Sequence, residues 1–310
     1  MQSEDRPDPA DATSGSSSNT DVPAGQPKAG SDARRAFLTG MMASGFALAV
    51  QPVMADVIHT SSEGLDSGPT SIALPNDNSE ALPAYYAKPM HSAKPLPVVI
   101  VVQEIFGVHE HIQDVCRRLA RLGYFAVAPE LYFRQGDPRQ YPSVPELVEK
   151  IVSKVPDAQV MSDLDTTVQW ALDNGGDRSR LAITGFCWGG RITWLYTAHN
   201  PLLKAATAWY GPLVGPVNAI TPRYPVDIAG QLKAPVLGLY GGQDPNIKQE
   251  HVAQMRDALA AVHSNSQIIV YPDAGHGFNA DYRPSYNEAA AKDGWQHMLD
   301  WFRKYGVAPN

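Results

Sequence analysis

Apolar runs and amphipathic stretches alternate along most of this chain. Leu96–Val102 is a continuous apolar run, which is typical of a strand buried on both faces of a parallel sheet. Stretches with helical spacing follow such runs repeatedly. Repeated strand–helix units predict a parallel sheet with helices on both faces. The predicted fold class is therefore α/β, with a mostly parallel, doubly wound sheet that short antiparallel N-terminal strands precede.

The pattern assigns the elements as follows. Strands are predicted at residues 57–60, 71–74, 84–87, 96–102, 124–128, 181–184, 205–209, 236–240 and 267–271. Helices are predicted at residues 110–122, 158–172, 191–199, 249–262 and 286–305. The Pro-rich stretches 136–145 and 211–224 are expected to be long loops over the functional edge of the sheet. With 310 residues, 44% of them hydrophobic, residues 56–310 are long enough to form one such domain.

Residues 1–55 differ in composition from this domain. Residues 1–33 are rich in Ser, Gly, Pro and Asp and poor in large apolar side chains, which predicts disorder. Arg34 and Arg35 then precede a charge-free segment that ends in the small-residue pattern Val53–Ala55. This combination is typical of a Tat-type export signal. It predicts the Tat translocase as a partner and a periplasmic or exported protein, with a tethering helix or a cytoplasmic location as the alternatives.

Charge and cysteine content exclude several function classes. The net charge of −7 argues against nucleic acid or an anionic membrane as a partner. Gly and Pro interrupt the signal segment too often for a good membrane span, so no membrane association is predicted after its removal. Two cysteines are too few for a disulfide framework, and Cys116 fits a helical core pattern. No cluster has metal-ligand spacing, so neither a metal nor a cofactor is predicted.

The segment Gly185–Gly190, with the sequence GFCWGG, is the most informative motif. It follows a predicted strand and opens a predicted helix, which is the arrangement of a nucleophile elbow with cysteine in place of serine. The glycines permit a tight turn, and the amides at the helix N-terminus favour a thiolate at Cys187. The alternative is a buried cysteine in a Gly-rich turn.

Two further strand ends supply partners for such a nucleophile. Asp244 follows the strand 236–240 in a GGQD turn, and His276 follows the strand 267–271 in the segment AGHGF. The carboxyl ends of parallel strands lie at one edge of a sheet, and the order nucleophile, acid, histidine is that of α/β-hydrolases. Taken singly, Asp244 could be an ordinary turn residue and His276 a structural histidine.

Glu104 also follows a buried strand, in the segment QEIFG. A carboxylate at this point can simply cap the next helix. In the hydrolase arrangement, however, this loop provides one amide of the oxyanion hole. The two predicted oxyanion-hole amides are those of Ile105 and Trp188.

Five segments together resemble the dienelactone hydrolase family of the α/β-hydrolase superfamily. They read QEIFG at Gln103–Gly107, PELYFRQ at Pro129–Gln135, GFCWGG at Gly185–Gly190, GGQD at Gly241–Asp244 and GHGF at Gly275–Phe278. The resemblance implies a catalytic triad of Cys187, His276 and Asp244. It also implies that Glu104 is a fourth member, which holds the resting thiol neutral and takes its proton once substrate displaces the carboxylate.

The resemblance also suggests residues that touch substrate. Members of this family that act on dienelactone bind the substrate carboxylate with two arginines, and Arg134, Arg139 and Arg283 are the candidates here. Arg283 lies farther beyond the histidine than the family pattern expects. The aromatic candidates for an apolar pocket are Phe106, Tyr132, Trp188, Phe278 and Tyr282; each is an equally reasonable core residue.

Three hypotheses follow for the function. The first is a cysteine hydrolase of lactones and activated esters, similar to carboxymethylenebutenolidase. The second is a broader esterase or thioesterase for small acyl groups, favoured if the carboxylate-binding arginines are missing. The third is a catalytically silent binding protein on the same scaffold. A small-molecule ester or lactone is the expected partner of the first two.

Overall fold

A computed structural model describes residues 57–75 and 77–309. The predicted disordered leader and export signal lie outside these residues. In the described part the chain forms one eight-stranded sheet with helices packed on it. The α/β prediction is therefore confirmed.

The sheet has the strand order β1-β2-β4-β3-β5-β6-β7-β8. β2 pairs antiparallel with β1 and β4, and the pairs from β4 through β3 to β8 are parallel. The strands are β1 (Leu65–Leu74), β2 (Asp77–Pro89), β3 (Leu96–Val102), β4 (Phe125–Pro129), β5 (Gly176–Phe186), β6 (Leu203–Trp209), β7 (Val236–Gly241) and β8 (Gln267–Tyr271). Every residue of β3 is buried, as expected for a strand inside a parallel sheet.

The helices connect these strands and bury their apolar faces on the sheet. They are α1 (Glu110–Arg121), α2 (Val144–Lys150), α3 (Asp157–Asp173), α4 (Trp188–His199), α5 (Gln249–Ala261) and α6 (Glu288–Lys304). α1 packs on β2 and β4, and α4 packs on β5 and β6. No helix in the described ranges is long and apolar enough to cross a bilayer.

Two local predictions were wrong. Residues 57–60 form no strand, because the segment is anchored to α1 instead: the Thr60 amide donates to Asp114, and the Thr60 carbonyl accepts from Arg117. The predicted loop 136–145 ends too late, because α2 already begins at Val144, where Ser143 caps the first turn by accepting from the Glu146 amide. A proline in the first turn of a helix costs no hydrogen bond, so Pro145 does not prevent this helix.

Close backbone contacts hold α4 against the carboxyl edge of the sheet. A Cβ on Gly189 would lie 2.4 Å from the Gln103 carbonyl oxygen, and one on Gly190 would lie 2.5 Å from the Trp209 carbonyl oxygen. Only glycine permits this approach. The N-terminus of α4 therefore lies directly beside the ends of β3 and β6.

Candidate active site

Cys187 lies in a strained turn between β5 and α4. Its backbone has φ 56° and ψ −118°, a conformation that costs roughly 1–3 kcal/mol for a residue with a side chain. Its amide donates to the Trp209 carbonyl over 3.0 Å, and its carbonyl accepts from the Gly190 amide. These bonds fix the elbow, so the Cys187 side chain is held at the sheet edge, where it is 3% exposed.

His276 and Asp244 meet Cys187 at this edge. The His276 Nδ1 atom lies 2.8 Å from the Asp244 Oδ2 atom, and the Cys187 side chain is close enough to the imidazole to raise its pKa. The loops that carry them pack closely, because a Cβ on Gly241 would lie 2.4 Å from the Ala274 carbonyl oxygen. The three side chains thus form a continuous chain of contacts.

The Asp244 carboxylate also shapes its own loop. Its Oδ1 atom accepts from the Asn246 and Ile247 amides over 2.8 and 3.2 Å. Oδ2 remains for the His276 ring. Burial by itself lowers the pKa of His276, but the charges of Asp244 and Cys187 outweigh burial and raise that pKa to about 10. The surroundings of the imidazole therefore favour its protonated form.

Glu104 occupies a tight turn just beyond β3. Glu104 and Gly107 form an antiparallel bridge, and Gly107 has φ 77°, which a residue with a side chain adopts only with strain. The turn is clamped from the other side, because the Glu130 carboxylate accepts from the Val108 amide over 3.1 Å. Glu104 is fully buried as a result.

The Glu104 carboxylate is held through its Oε2 atom. Arg283 Nη2 donates to Oε2 over 3.2 Å and the Tyr282 hydroxyl over 2.5 Å, while His109 Nε2 lies 3.7 Å away. Burial alone would raise the pKa of Glu104, but the Arg283 charge and the His109 ring together hold it well below its ordinary value. Glu104 is therefore ionised in this arrangement.

The two predicted oxyanion-hole residues flank Cys187. Trp188 is the first residue of α4, so its amide is among those that have no acceptor inside the helix. Ile105 is buried at the tip of the Glu104 turn, and the contact of Gly189 with Gln103 holds that turn beside the elbow. The two amides thus belong to two turns that contact each other, that of Glu104 and that of Cys187.

Three of the predicted substrate residues lie around the site. Arg283 is 7% exposed and stacks its guanidinium on the Phe106 ring, 5.0 Å from its centroid. Tyr132 is buried and meets the Trp188 ring edge-on at 4.8 Å. Electrostatic attraction to Glu104 and Cys187 raises the pKa of Arg283 against the opposing effect of burial.

Three other candidates are engaged elsewhere. Arg134 forms a two-point ion pair with Asp163 on α3, at 2.7 and 3.0 Å. Arg139 is half exposed and pairs with Asp137. Phe278 is fully buried and packs on core rings, including that of Trp209. These contacts occupy both guanidinium groups and place the phenyl ring in the core. That Arg134 and Phe278 bind substrate stays a prediction.

Sequence reasoning overlooked Tyr210 and His109. Tyr210 follows β6 with φ 37°, and its ring meets the His276 ring edge-on at 5.2 Å. His109 precedes α1 and meets the Tyr282 ring at 4.9 Å. In the sequence, an aromatic residue after a strand looks the same as a core residue, so no signal distinguished Tyr210. His109 lies two residues beyond the QEIFG motif, and this proximity was a signal that it belongs to the site.

One group in the described ranges has the spacing of a metal site, formed by His59, Glu110 and Asp114. Glu110 and Asp114 of this group lie on α1, and His59 lies in the segment before β1. Arg117 pairs with both carboxylates of the group, and Arg118 pairs with Asp114. The arginines already neutralise these acidic side chains, so we assign no metal to them.

Comparison with known proteins gives one consistent family. The model of the dienelactone hydrolase family matches residues 82–306. A Salmonella typhimurium protein named "Putative carboxymethylenebutenolidase" is 62% identical over 263 residues, covering 85% of this chain and 96% of that protein. A protein of the same name from Methylorubrum extorquens is 56% identical over 277 residues, covering 89% of this chain and 94% of that protein.

Solved structures agree with this result. The crystal structure of a "Putative Dienelactone Hydrolase" from Klebsiella pneumoniae has a TM-score of 0.76 and 61% identity, and covers 78% of this chain and 99% of that one. An acylaminoacyl peptidase from Pyrococcus horikoshii has a TM-score of 0.63 at 15% identity, covering 80% of this chain and 43% of that one. The peptidase shares the fold alone.

Proposed function

Because the chain belongs to the dienelactone hydrolase family and is thus a hydrolase of ester bonds, we propose that it cleaves lactones and activated esters with Cys187 as nucleophile. The supporting observation is the convergence of a strained cysteine, a histidine paired with Asp244, and a buried glutamate at one sheet edge. A cysteine merely buried in a turn needs none of these partners.

Glu104 is the proposed acceptor of the thiol proton. The Asp244 charge raises the pKa of His276 against the effect of burial and so favours the imidazolium, which cannot act as a base. The ionised Glu104 carboxylate is the remaining acceptor. Proton transfer breaks the Cys187 S–H bond, leaves the electron pair on sulfur and forms a carboxylic acid at Glu104. The His276 imidazolium and the N-terminus of α4 stabilise the resulting thiolate.

Acylation follows from this ion pair. The Cys187 sulfur attacks the ester carbonyl carbon, and the amides of Ile105 and Trp188 bind the resulting oxyanion. One such donor contributes about 3–4 kcal/mol to transition-state stabilisation. Collapse breaks the bond to the leaving oxygen, and the His276 imidazolium supplies its proton. The products are a thioester on Cys187 and the released alcohol or enol.

Deacylation uses the now neutral His276. It takes a proton from a water molecule, whose oxygen attacks the thioester carbonyl. The second tetrahedral intermediate expels the Cys187 thiolate and releases the acid, and Glu104 returns its proton to the sulfur. One water is consumed for each ester cleaved, and no other reactant is needed.

Arg283 supports an anionic substrate. Its guanidinium is buried in the site and is paired with Glu104. A substrate carboxylate can take the place of Glu104 on the guanidinium, which leaves no buried charge unpaired and frees Glu104 for the thiol. Because Arg134 is bound to Asp163, only one arginine serves such a carboxylate, and this favours broader esterase activity as the second candidate.

Steady-state kinetics test the proposal with dienelactone and an aryl acetate as substrates. Turnover of dienelactone that disappears in Cys187→Ala and survives in Cys116→Ala, the matched change at the other buried cysteine, supports lactone hydrolysis. Aryl-ester turnover without dienelactone turnover supports the broader esterase. Absence of leaving-group release with every ester would show a silent scaffold.

A further inference from the structure

Only one of the two carboxylate oxygens of Glu104 accepts hydrogen bonds within the described part of the chain. Its Oε2 atom accepts hydrogen bonds from the Tyr282 hydroxyl and the Arg283 guanidinium, whereas Oε1 has no hydrogen-bond partner among the described residues. A fully buried carboxylate oxygen without a donor is unfavourable. The arrangement therefore leaves an opening for a second donor on the Oε1 side.

Tyr282 is firmly positioned for its bond to Glu104. Arg283 Nε donates to the Tyr282 oxygen over 3.1 Å. The neighbouring Asp281 is tied to α1, where it accepts from His111 over 3.0 Å and from Arg118 over 2.8 Å. The Tyr282 hydroxyl can therefore donate its single hydrogen to Glu104 from a fixed point.

Tyr210 is a second phenol in the same group, and its hydroxyl is unused. The side chain is fully buried, and the hydroxyl has no partner within the part of the chain that the structure describes. After burial itself, the charge of Glu104 does most to raise the pKa of Tyr210, and Cys187 also contributes. The hydroxyl thus lies within electrostatic reach of both the carboxylate and the sulfur.

Two features of Tyr210 are energetically unfavourable. Its φ of 37° is strained for a residue with a side chain, and its buried hydroxyl is unpaired. Phenylalanine would keep the ring contacts with His276 and Phe278 without the second cost. A hydroxyl at this point is explained if it gains a partner during the reaction.

We propose that two tyrosine hydroxyls define two positions of the Glu104 carboxylate. Tyr282 holds it at rest through Oε2, and Tyr210 donates to Oε1 in the position from which the other oxygen takes the Cys187 proton. The inference rests on the proposed role of Cys187 and Glu104. Both tyrosines are positioning residues, since each acts on the thiol through Glu104.

The rest position makes Glu104 a poor base, and the second position makes it a better one. Arg283 and His109 hold the carboxyl pKa low at rest, against the effect of burial. Away from these groups, burial raises the pKa of a carboxyl group, while one hydroxyl bond from Tyr210 stabilises the carboxylate less than a guanidinium does. The movement itself thus increases the tendency of Glu104 to take the thiol proton.

The test compares Tyr282→Phe with Tyr210→Phe in the full chain. The rate of iodoacetamide alkylation at pH 7 is measured without substrate, and peptide mass assigns the label to Cys187. We expect Tyr282→Phe to raise this rate about tenfold, and Tyr210→Phe to lower both this rate and kcat/KM about tenfold. Tenfold is the lower range for loss of one hydrogen bond to a charged group.

Two controls make the outcome decisive. Tyr86→Phe removes a phenol bond to Asp66 (2.7 Å) on β1, and should change neither rate. In a Glu104→Gln background, neither site substitution should alter alkylation. If both substitutions shift alkylation in the same direction, or either has no effect, the two-position model is wrong. If Cys187→Ala retains turnover, the proposed function itself fails.

Discussion

Replacement of Asp244 by asparagine isolates the charge that acts on His276. The Asp244 Oδ1 atom accepts from the Asn246 and Ile247 amides, and an asparagine oxygen can accept the same two bonds. The group facing His276 Nδ1 at 2.8 Å becomes a neutral amide. The loop is therefore preserved, while the charge at the imidazole is lost.

The expected effect on His276 is large. The difference between its ordinary pKa of 6.5 and about 10 corresponds to about 5 kcal/mol in favour of the imidazolium. Asp244 is the largest favourable contributor, ahead of Cys187, and both act against burial. We expect the pKa of His276 in Asp244→Asn to fall below about 7, and kcat to fall roughly 10³–10⁴-fold, as when a triad acid becomes an amide.

An NMR titration of the imidazole measures this pKa, with the His276 signal assigned by its absence in His276→Gln. Stability gives a second measurement. Because the pKa of His276 is raised by folding, its contribution to stability is complete below about pH 6.5 and is lost as the pH rises through about 10. The stability difference between the native protein and Asp244→Asn should therefore shrink at alkaline pH. Equal pKa values in both proteins would refute the reasoning.

Three further predictions concern the elbow, the Arg134 ion pair and the leader. Gly190→Ala should lower the free energy of unfolding by about 2 kcal/mol or more and impair turnover, because its Cβ would lie 2.5 Å from the Trp209 carbonyl oxygen; unchanged melting and kinetics would contradict this. Arg134→Ala should lower the melting temperature, because the ion pair with Asp163 is lost, and should leave the KM for dienelactone unchanged. A tenfold rise in KM would show instead that Arg134 binds substrate. Replacing Arg34–Arg35 with lysines should retain the protein in the cytoplasm on fractionation, whereas unchanged export would exclude a Tat signal.

Much of the candidate active site was predictable from the sequence, because parallel strands end on the same side of a sheet. The turns carrying Glu104, Cys187, Asp244 and His276 each follow a strand. The strands that precede them lie in the sheet in the same order, β3, β5, β7 and β8. The lengths of β1 and β2 were underestimated, because hydrogen bonding across an antiparallel pair extends strands through sequences with weak patterns of their own.

Long-range pairing was not predictable in the same way. Arg134 and Arg283 are equally plausible carboxylate ligands in the sequence. The structure pairs the first with Asp163 on α3 and the second with Glu104 in the site. Likewise, nothing in the sequence separates Tyr210 from a core aromatic residue. Its positive φ and unpaired hydroxyl become visible only when the chain is folded.

Mass spectrometry of an acyl-enzyme tests the central claim most directly. A His276→Gln variant is mixed with p-nitrophenyl acetate, whose leaving group departs without an acid, and the reaction is quenched with acid and digested. Because deacylation needs His276, the account predicts an acetyl group on the peptide that contains Cys187. An acetyl group on a different residue, or release of nitrophenolate without any adduct at Cys187, would contradict it.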